Sequence, residues 1–192
     1  FDQVAEVAVE AGVIGIGIGG SEAEFPPELF EDVYRKAGRR GYRLTAHAGE
    51  AAGPASVWGA LRALGVERIG HGVRSIEDPG LVDQLVARQI PLEVCPTSNL
   101  RTGVVAHWDS HPARTLIESG ALVTINTDDP AMFHCSLAGE YDVLASRFGL
   151  DLDVVRRVAS DAIDASWASE ETRQRLRRDQ EAWWLSAAAD AR

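Results

Sequence analysis

The sequence predicts an α/β protein in which parallel strands alternate with helices, and three observations carry that prediction. Five short apolar runs read as buried strands: Val13 to Ile18, Arg43 to Ala46, Arg68 to Gly70, Pro91 to Val94 and Leu122 to Asn126. Their starts, at residues 13, 43, 68, 91 and 122, are 23 to 31 residues apart. That is the length of a strand plus a crossover helix, and strands joined by such crossovers run parallel. The stretches between the runs carry helical periodicity, with acids early, bases late and cap residues at their ends. Two architectures fit this rhythm, an open doubly wound sheet and a (β/α) barrel.

The first apolar run ends in Gly15-Ile16-Gly17-Ile18-Gly19-Gly20, and Pro26-Pro27 follow before the first helix. Its spacing is out of register for a phosphate-binding loop, so glycines that let a strand end pack closely are the favoured reading. Leu29, Phe30, Val33, Tyr34 and Ala37 then form one helical face. After the second run, Ser56 is expected to cap a helix that turns Val57, Trp58, Leu61 and Leu64 inward. After the third, Asp78-Pro79 reads as a cap followed by proline in the first helical position, leading Leu81, Val82, Leu85 and Val86. Beyond the fifth run, Leu137, Tyr141, Leu144 and Phe148 make a stripe that stops at Gly149. Asp151 is expected to cap a helix carrying Leu152, Val155, Val158, Ala159, Ala162 and Ile163. A final helix spans about Glu170 to Leu185, with a frayed Ala-rich tail after Ser186 and with Trp183 and Trp184 as its packing anchor.

Composition narrows the partners. The chain has 192 residues, a length suited to one domain over 1–192, and its 19 Lys+Arg against 29 Asp+Glu give a net charge of −10. An acidic surface argues against nucleic acid and anionic membranes as partners. No apolar run reaches the roughly 18 residues of a membrane span. Neither a signal peptide nor a disulfide framework is visible: the two cysteines are Cys95 and Cys135, so the cytoplasm is the expected compartment. The only Met is Met132 and the chain opens at Phe1, which is expected of a processed or truncated N-terminus.

Polar residues gather where the strands stop. The second run ends in Thr45-Ala46-His47-Ala48-Gly49-Glu50, the third in Ile69-Gly70-His71-Gly72, and the fourth in Glu93-Val94-Cys95-Pro96-Thr97-Ser98-Asn99. The fifth ends in Ile125-Asn126-Thr127-Asp128-Asp129-Pro130. In a parallel barrel these corners share the carboxyl-end face, where such folds carry their sites. Each residue has a plainer reading. A strand-end His can bond a neighbouring loop, Asp128-Asp129-Pro130 can be a turn and cap, and Glu50 can be a solvated acid. Their recurrence at successive corners favours a shared site. His107, His111 and His134 are read as structural, and Cys95 as a buried strand-end thiol with no base nearby. Imidazole and carboxylate are zinc donors, and zinc lowers the pKa of a bound water to about 7, so the set describes metal-assisted hydrolysis.

In order and spacing, His47-Ala48-Gly49-Glu50, Arg68-Ile69-Gly70-His71-Gly72, Glu93-Val94-Cys95-Pro96 with Ser98-Asn99, and Asn126-Thr127-Asp128-Asp129-Pro130 resemble the adenosine deaminase family of metal-dependent hydrolases. The resemblance runs from Val13 into the last helix. It implies a TIM (β/α)₈ barrel and hydrolytic removal of the amino group of a 6-aminopurine nucleoside. By the same resemblance, His47 and Asp128 are Zn²⁺ ligands (another divalent metal being possible), and Glu50 is the acid that protonates purine N1. His71 holds and activates the metal-activated water, Asp129 bonds N7, and Gly20 offers its backbone near N3. The H-x-E…P-C-x-x-C signature of cytidine-type deaminases is absent.

Three departures from the family pattern matter. The family tends to read D-L-A-G-D-E where this chain has Gly17-Ile18-Gly19-Gly20-Ser21-Glu22. The Gly15 to Gly20 corner and Thr97 to Gly103 look closer to bacterial relatives that deaminate aminodeoxyfutalosine, a 6-aminopurine nucleoside of menaquinone synthesis. Free-adenine deaminases of this family tend to carry Asp before the His-Gly, so Gly70 argues against that branch. The family also supplies a His-x-His from its first strand, and no H-x-H occurs here. The chain is therefore expected to hold the last five βα units of the barrel plus C-terminal helices, with the first three strands missing, and to be inactive alone. Another metal-dependent hydrolase on the same barrel and an inactive half-barrel binding module are the alternatives. Oligomeric state is left open.

Overall fold

The computed structural model describes residues 11–190. Five parallel strands form one sheet in the order β1-β2-β3-β4-β5: Gly15–Ile16, Arg43–Ala48, Arg68–His71, Leu92–Val94 and Val123–Ile125. Each strand pairs with its sequence neighbours. A doubly wound sheet reverses its strand order at a switch point, and here the order never reverses, so the winding is that of a barrel segment. β1 is shorter than its apolar run, although Arg43 N–H to Ile14 O (2.9 Å) and His47 N–H to Ile18 O (2.8 Å) extend the pairing on both sides.

Side chains alternate between the two faces of the sheet. Ala46, Ala48, Ile69, Leu92, Val94, Val123 and Ile125 are buried with Leu81, Leu85, Leu116 and Leu144 from the helices in one core. The opposite face is polar. The register sets His47 beside Gly70, Gly70 beside Glu93 and Glu93 beside Thr124, so one row crosses four strands. At the amino ends of the strands, Arg43 pairs with Glu67 and Arg68 with Glu93, and both guanidiniums lie over the Trp167 ring at 5.5 and 4.8 Å.

The helices are α1 (Glu31–Arg39), α2 (Pro54–Gly59), α3 (Pro79–Arg88), α4 (Pro96–Arg101), α5 (Ala113–Glu118), α6 (Pro130–Phe133), α7 (Leu137–Ser146), α8 (Leu152–Ala165) and α9 (Glu170–Asp190). Asp78 caps α3 as expected, accepting from Gly80 and Leu81 N–H. Ser56 does not cap α2. Gly53 holds that position, because Pro54 is preset for the first helical residue, and Ser56 is buried inside the first turn. Asp151 occupies the cap of α8 without a side-chain bond, and Ser136 caps α7 instead. Leu137 and Leu152, expected to face inward, are 51% and 64% exposed. α9 continues past Ser186 to Asp190, since an Ala-rich end is a good helix former. Trp183 is exposed and stacks edge-on against Trp184, so it does not anchor that helix. Among the described residues no helix is long and apolar enough to cross a membrane.

Candidate active site

Two glycines make room for His47. A Cβ at Gly70 would lie 2.5 Å from His47 Cδ2, and one at Gly19 would lie 3.2 Å from its Nδ1. The imidazole is therefore held between neighbouring strands that have no side chains at that level. The close-packing reading of the Gly15–Gly20 run is the one realised here. This also explains Gly70 physically, because any larger residue would displace His47.

His71 ends β3 with φ 62°, a left-handed backbone that few residues with a Cβ adopt. Strict alternation would send its side chain to the face of Ile69. The left-handed turn instead brings it against His47, with ring centroids 4.7 Å apart and planes at 85°. Its Nε2 lies 3.4 Å from Glu50 Oε2 and its Nδ1 lies 3.5 Å from the Asn99 amide nitrogen. Asp128, beyond β5, is also left-handed at φ 56°, and its Oδ2 accepts from Ser98 Oγ at 2.7 Å.

The electrostatics separate the two central groups. Burial first, then repulsion from Asp128 and Glu22, pushes the Glu50 carboxyl up to about 7. Burial first, then the neighbouring His47, pushes His71 down to about 4, against an opposite pull from Asp128 and Glu22. Near neutrality Glu50 thus retains a large protonated fraction while His71 is neutral. A carboxylic acid and a neutral imidazole side by side can donate and accept a proton respectively.

Ligand atoms of His47, Glu50 and His71 lie within 4.8 Å of one another, as do those of His71, Cys95 and Asp128. These triads share His71, and His47, His71, Cys95 and Asp128 line a cavity of about 370 Å³ together with Gly70, Asn126 and Thr127; Glu50 stands beside it, against His71. Imidazole, carboxylate and thiol are donors suited to zinc, so the residues fit a divalent metal of that class. Gly20 lines a smaller neighbouring cavity, about 100 Å³, beside His47, Phe25 and Phe30. Asp129 is exposed and lines neither cavity; it sits at the N-cap of α6 without a side-chain cap bond.

The sequence reading missed the part of four residues. Cys95 is buried, as expected, but it is not remote from a base, since His71 and Asp128 come to it from other strands. Ser98 and Asn99 belong to α4, a short helix started by Pro96, which turns their side chains toward Asp128 and His71. Glu22, in the sequence no more than the end of a glycine-rich corner, accepts the backbone N–H groups of Gly49, Glu50, Ala51 and Ala52. The signal for α4 was the proline directly after a strand.

The family model described as adenosine deaminase matches residues 2–183. The chain is 41% identical over 175 residues to an adenosine deaminase of Klebsiella pneumoniae, covering 91% of this chain and 53% of that protein. Its structure is similar to that of an adenine deaminase from Arthrobacter aurescens, with TM-score 0.89 and 34% identity over 96% of this chain and 57% of the other. It is also similar to a Burkholderia ambifaria amidohydrolase with bound zinc, with TM-score 0.83 and 31% identity over 92% and 50% of the two chains. The chain spans about half the length of the curated relatives it matches. Its five strands are thus five βα units of the barrel those enzymes share.

Proposed function

The chain belongs to the adenosine deaminase family, and on that premise we propose that it forms part of an enzyme that hydrolyses the 6-amino group of a purine nucleoside, adenosine first, releasing ammonia. The observation that carries this reading is the Glu50–His71 pair, 3.4 Å apart, with pKa values driven in opposite directions and with His71 lining the same cavity as His47 and Asp128.

In this reading His47 and Asp128 are metal ligands, and zinc, when bound, would polarise a water and lower its pKa. His71, neutral at working pH, orients that water and accepts its proton. Glu50, kept protonated by burial and nearby carboxylates, donates to purine N1, so that C6 becomes electrophilic as water adds. Proton return to the exocyclic nitrogen then lets ammonia leave. Gly20 is proposed to meet N3 through its backbone, and the Phe25 and Phe30 rings that line the same small cavity support a flat ring there. Asp129 is proposed for N7. Gly17 and Ser21, in place of the family's acids, favour a second substrate reading, aminodeoxyfutalosine. Both cysteines are free thiols, which supports a cytoplasmic location.

Ammonia release by the intact enzyme from adenosine, aminodeoxyfutalosine and other 6-aminopurine nucleosides tests the reading. Turnover of at least one is expected, and its ranking assigns the substrate. No release from any of them by metal-loaded enzyme would overturn the deaminase assignment.

A further inference from the structure

Glu22 belongs to none of the groups assigned above, yet one carboxylate satisfies four successive backbone amides. Glu50, Ala51 and Ala52 N–H reach its Oε2 at 3.1, 2.7 and 3.0 Å, and Gly49 N–H reaches Oε1. Consecutive amides converge in this way only in a tight turn, and Gly49 makes it possible. Its φ is 71°, and a Cβ there would lie 2.5 Å from Val57 Cγ2. Arg74 holds the other side of the same turn, its Nη1 donating to Ala51 O at 3.1 Å and its N–H to Gly49 O at 2.8 Å. The turn is thus fixed through its donors by Glu22 and through its acceptors by Arg74.

Glu22 stands in the loop after β1, 28 residues before Glu50, and that loop also carries Gly20. One side chain therefore ties the loop bordering the small cavity to the turn bearing the acid. Charge-assisted bonds to backbone amides are stronger and shorter than neutral ones, so four of them make a stiff link. We propose that Glu22 is a positioning residue. By clamping residues 49–52 it holds the Glu50 carboxyl against His71, and it makes the Gly20 loop and the acid-bearing turn move as one piece. This inference rests on the deaminase reading for its catalytic consequence, though the clamp itself does not.

The test compares Glu22→Gln, Glu22→Asp and Glu22→Ala in the intact enzyme with Glu24→Gln, an exposed neighbour, as the control. Misplacing a reacting group by about 1 Å costs on the order of 100-fold, so Glu22→Ala should lower kcat by about that factor with KM within about threefold. Glu22→Gln, which keeps a reaching acceptor oxygen, should fall between Ala and wild type. Glu22→Asp, too short to reach, should resemble Ala. Metal content should be unchanged, and amide hydrogen exchange at 49–52 should accelerate most in Ala and Asp and less in Gln. Unchanged exchange in Glu22→Ala overturns the clamp, and faster exchange with kcat unchanged overturns the positioning role. If wild type releases no ammonia, it is the deaminase reading that fails. The positioning claim is then judged on the His71 ring resonances, which must shift in Glu22→Ala; unmoved resonances overturn it.

Discussion

His71 and Asp128 both sit at left-handed backbone positions, φ 62° and 56°, and both face the same cavity. Such positions cost of order 1–3 kcal/mol each and persist where the surroundings over-determine them. Asn99, Glu50 and Ser98 supply those surroundings through their contacts with the two side chains. This geometry yields a titration prediction for the metal-free chain. Glu50 should titrate near 7 and His71 near 4 by NMR. Asp128 raises both values, so Asp128→Asn should lower both. Two midpoints that stay where they were would show that Asp128 is not coupled to the pair. Much of this candidate site was legible in the sequence, because imidazole and carboxylate residues at strand ends have few structural reasons to recur at successive corners. Glu22 was not legible, since its partners are backbone amides 27 to 30 residues away and leave no residue-type signature. The setting of Cys95 was missed for a related reason: its neighbours arrive from other strands.

Among the elements, strand positions were readable because a parallel strand buried against helices is a short apolar run, and its spacing is set by the crossover. What escaped the sequence reading were α4, α5 and α6, four to six residues each and too short to show periodicity. His111 shows how such a helix is held. Its Nδ1 accepts Ala113 N–H at 3.1 Å in the first turn of α5, and its ring lies 5.1 Å from that of Phe148. Burial pushes its pKa from 6.5 down to about 4. The sign follows from the lowered folded value: above about pH 6.5 the ring is neutral in both states and contributes no pH dependence. Between about 6.5 and 4 the unfolded chain binds a proton that the folded chain refuses, so stability falls as pH falls. The loss by about pH 5 should be on the order of 2 kcal/mol relative to about pH 7.5. His111→Asn keeps an acceptor for Ala113 but does not titrate. Its urea midpoint should therefore decline less between those pH values than that of wild type. Parallel declines in both proteins would remove His111 as the cause.

For the molecule as a whole, the barrel arc has two ends. Among the described residues β1 pairs only with β2 and β5 only with β4, so each presents one side without a strand partner. Val13 and Ile14 beside β1 are 43% and 57% exposed, and Leu137 and Leu152, after β5, are comparably so. Open edges flanked by apolar side chains favour association between chains. The charge of −10 opposes it, because identical acidic molecules repel. The two effects separate by ionic strength. Repulsion is screened as the Debye length shrinks from about 10 Å at 0.1 M to about 3 Å at 1 M, whereas edge pairing and apolar burial are not weakened by salt. The 192-residue chain studied by itself should therefore show a mean mass in sedimentation equilibrium that rises with concentration, and more steeply at high salt. Ile14→Lys places a charge at the β1 edge without touching the Arg43 N–H to Ile14 O bond, and it should reduce that rise. A mass fixed at one chain across concentration and salt would mean that the edges are closed in solution. Association that weakens with salt would instead identify charge pairing, not the open sheet, as its source.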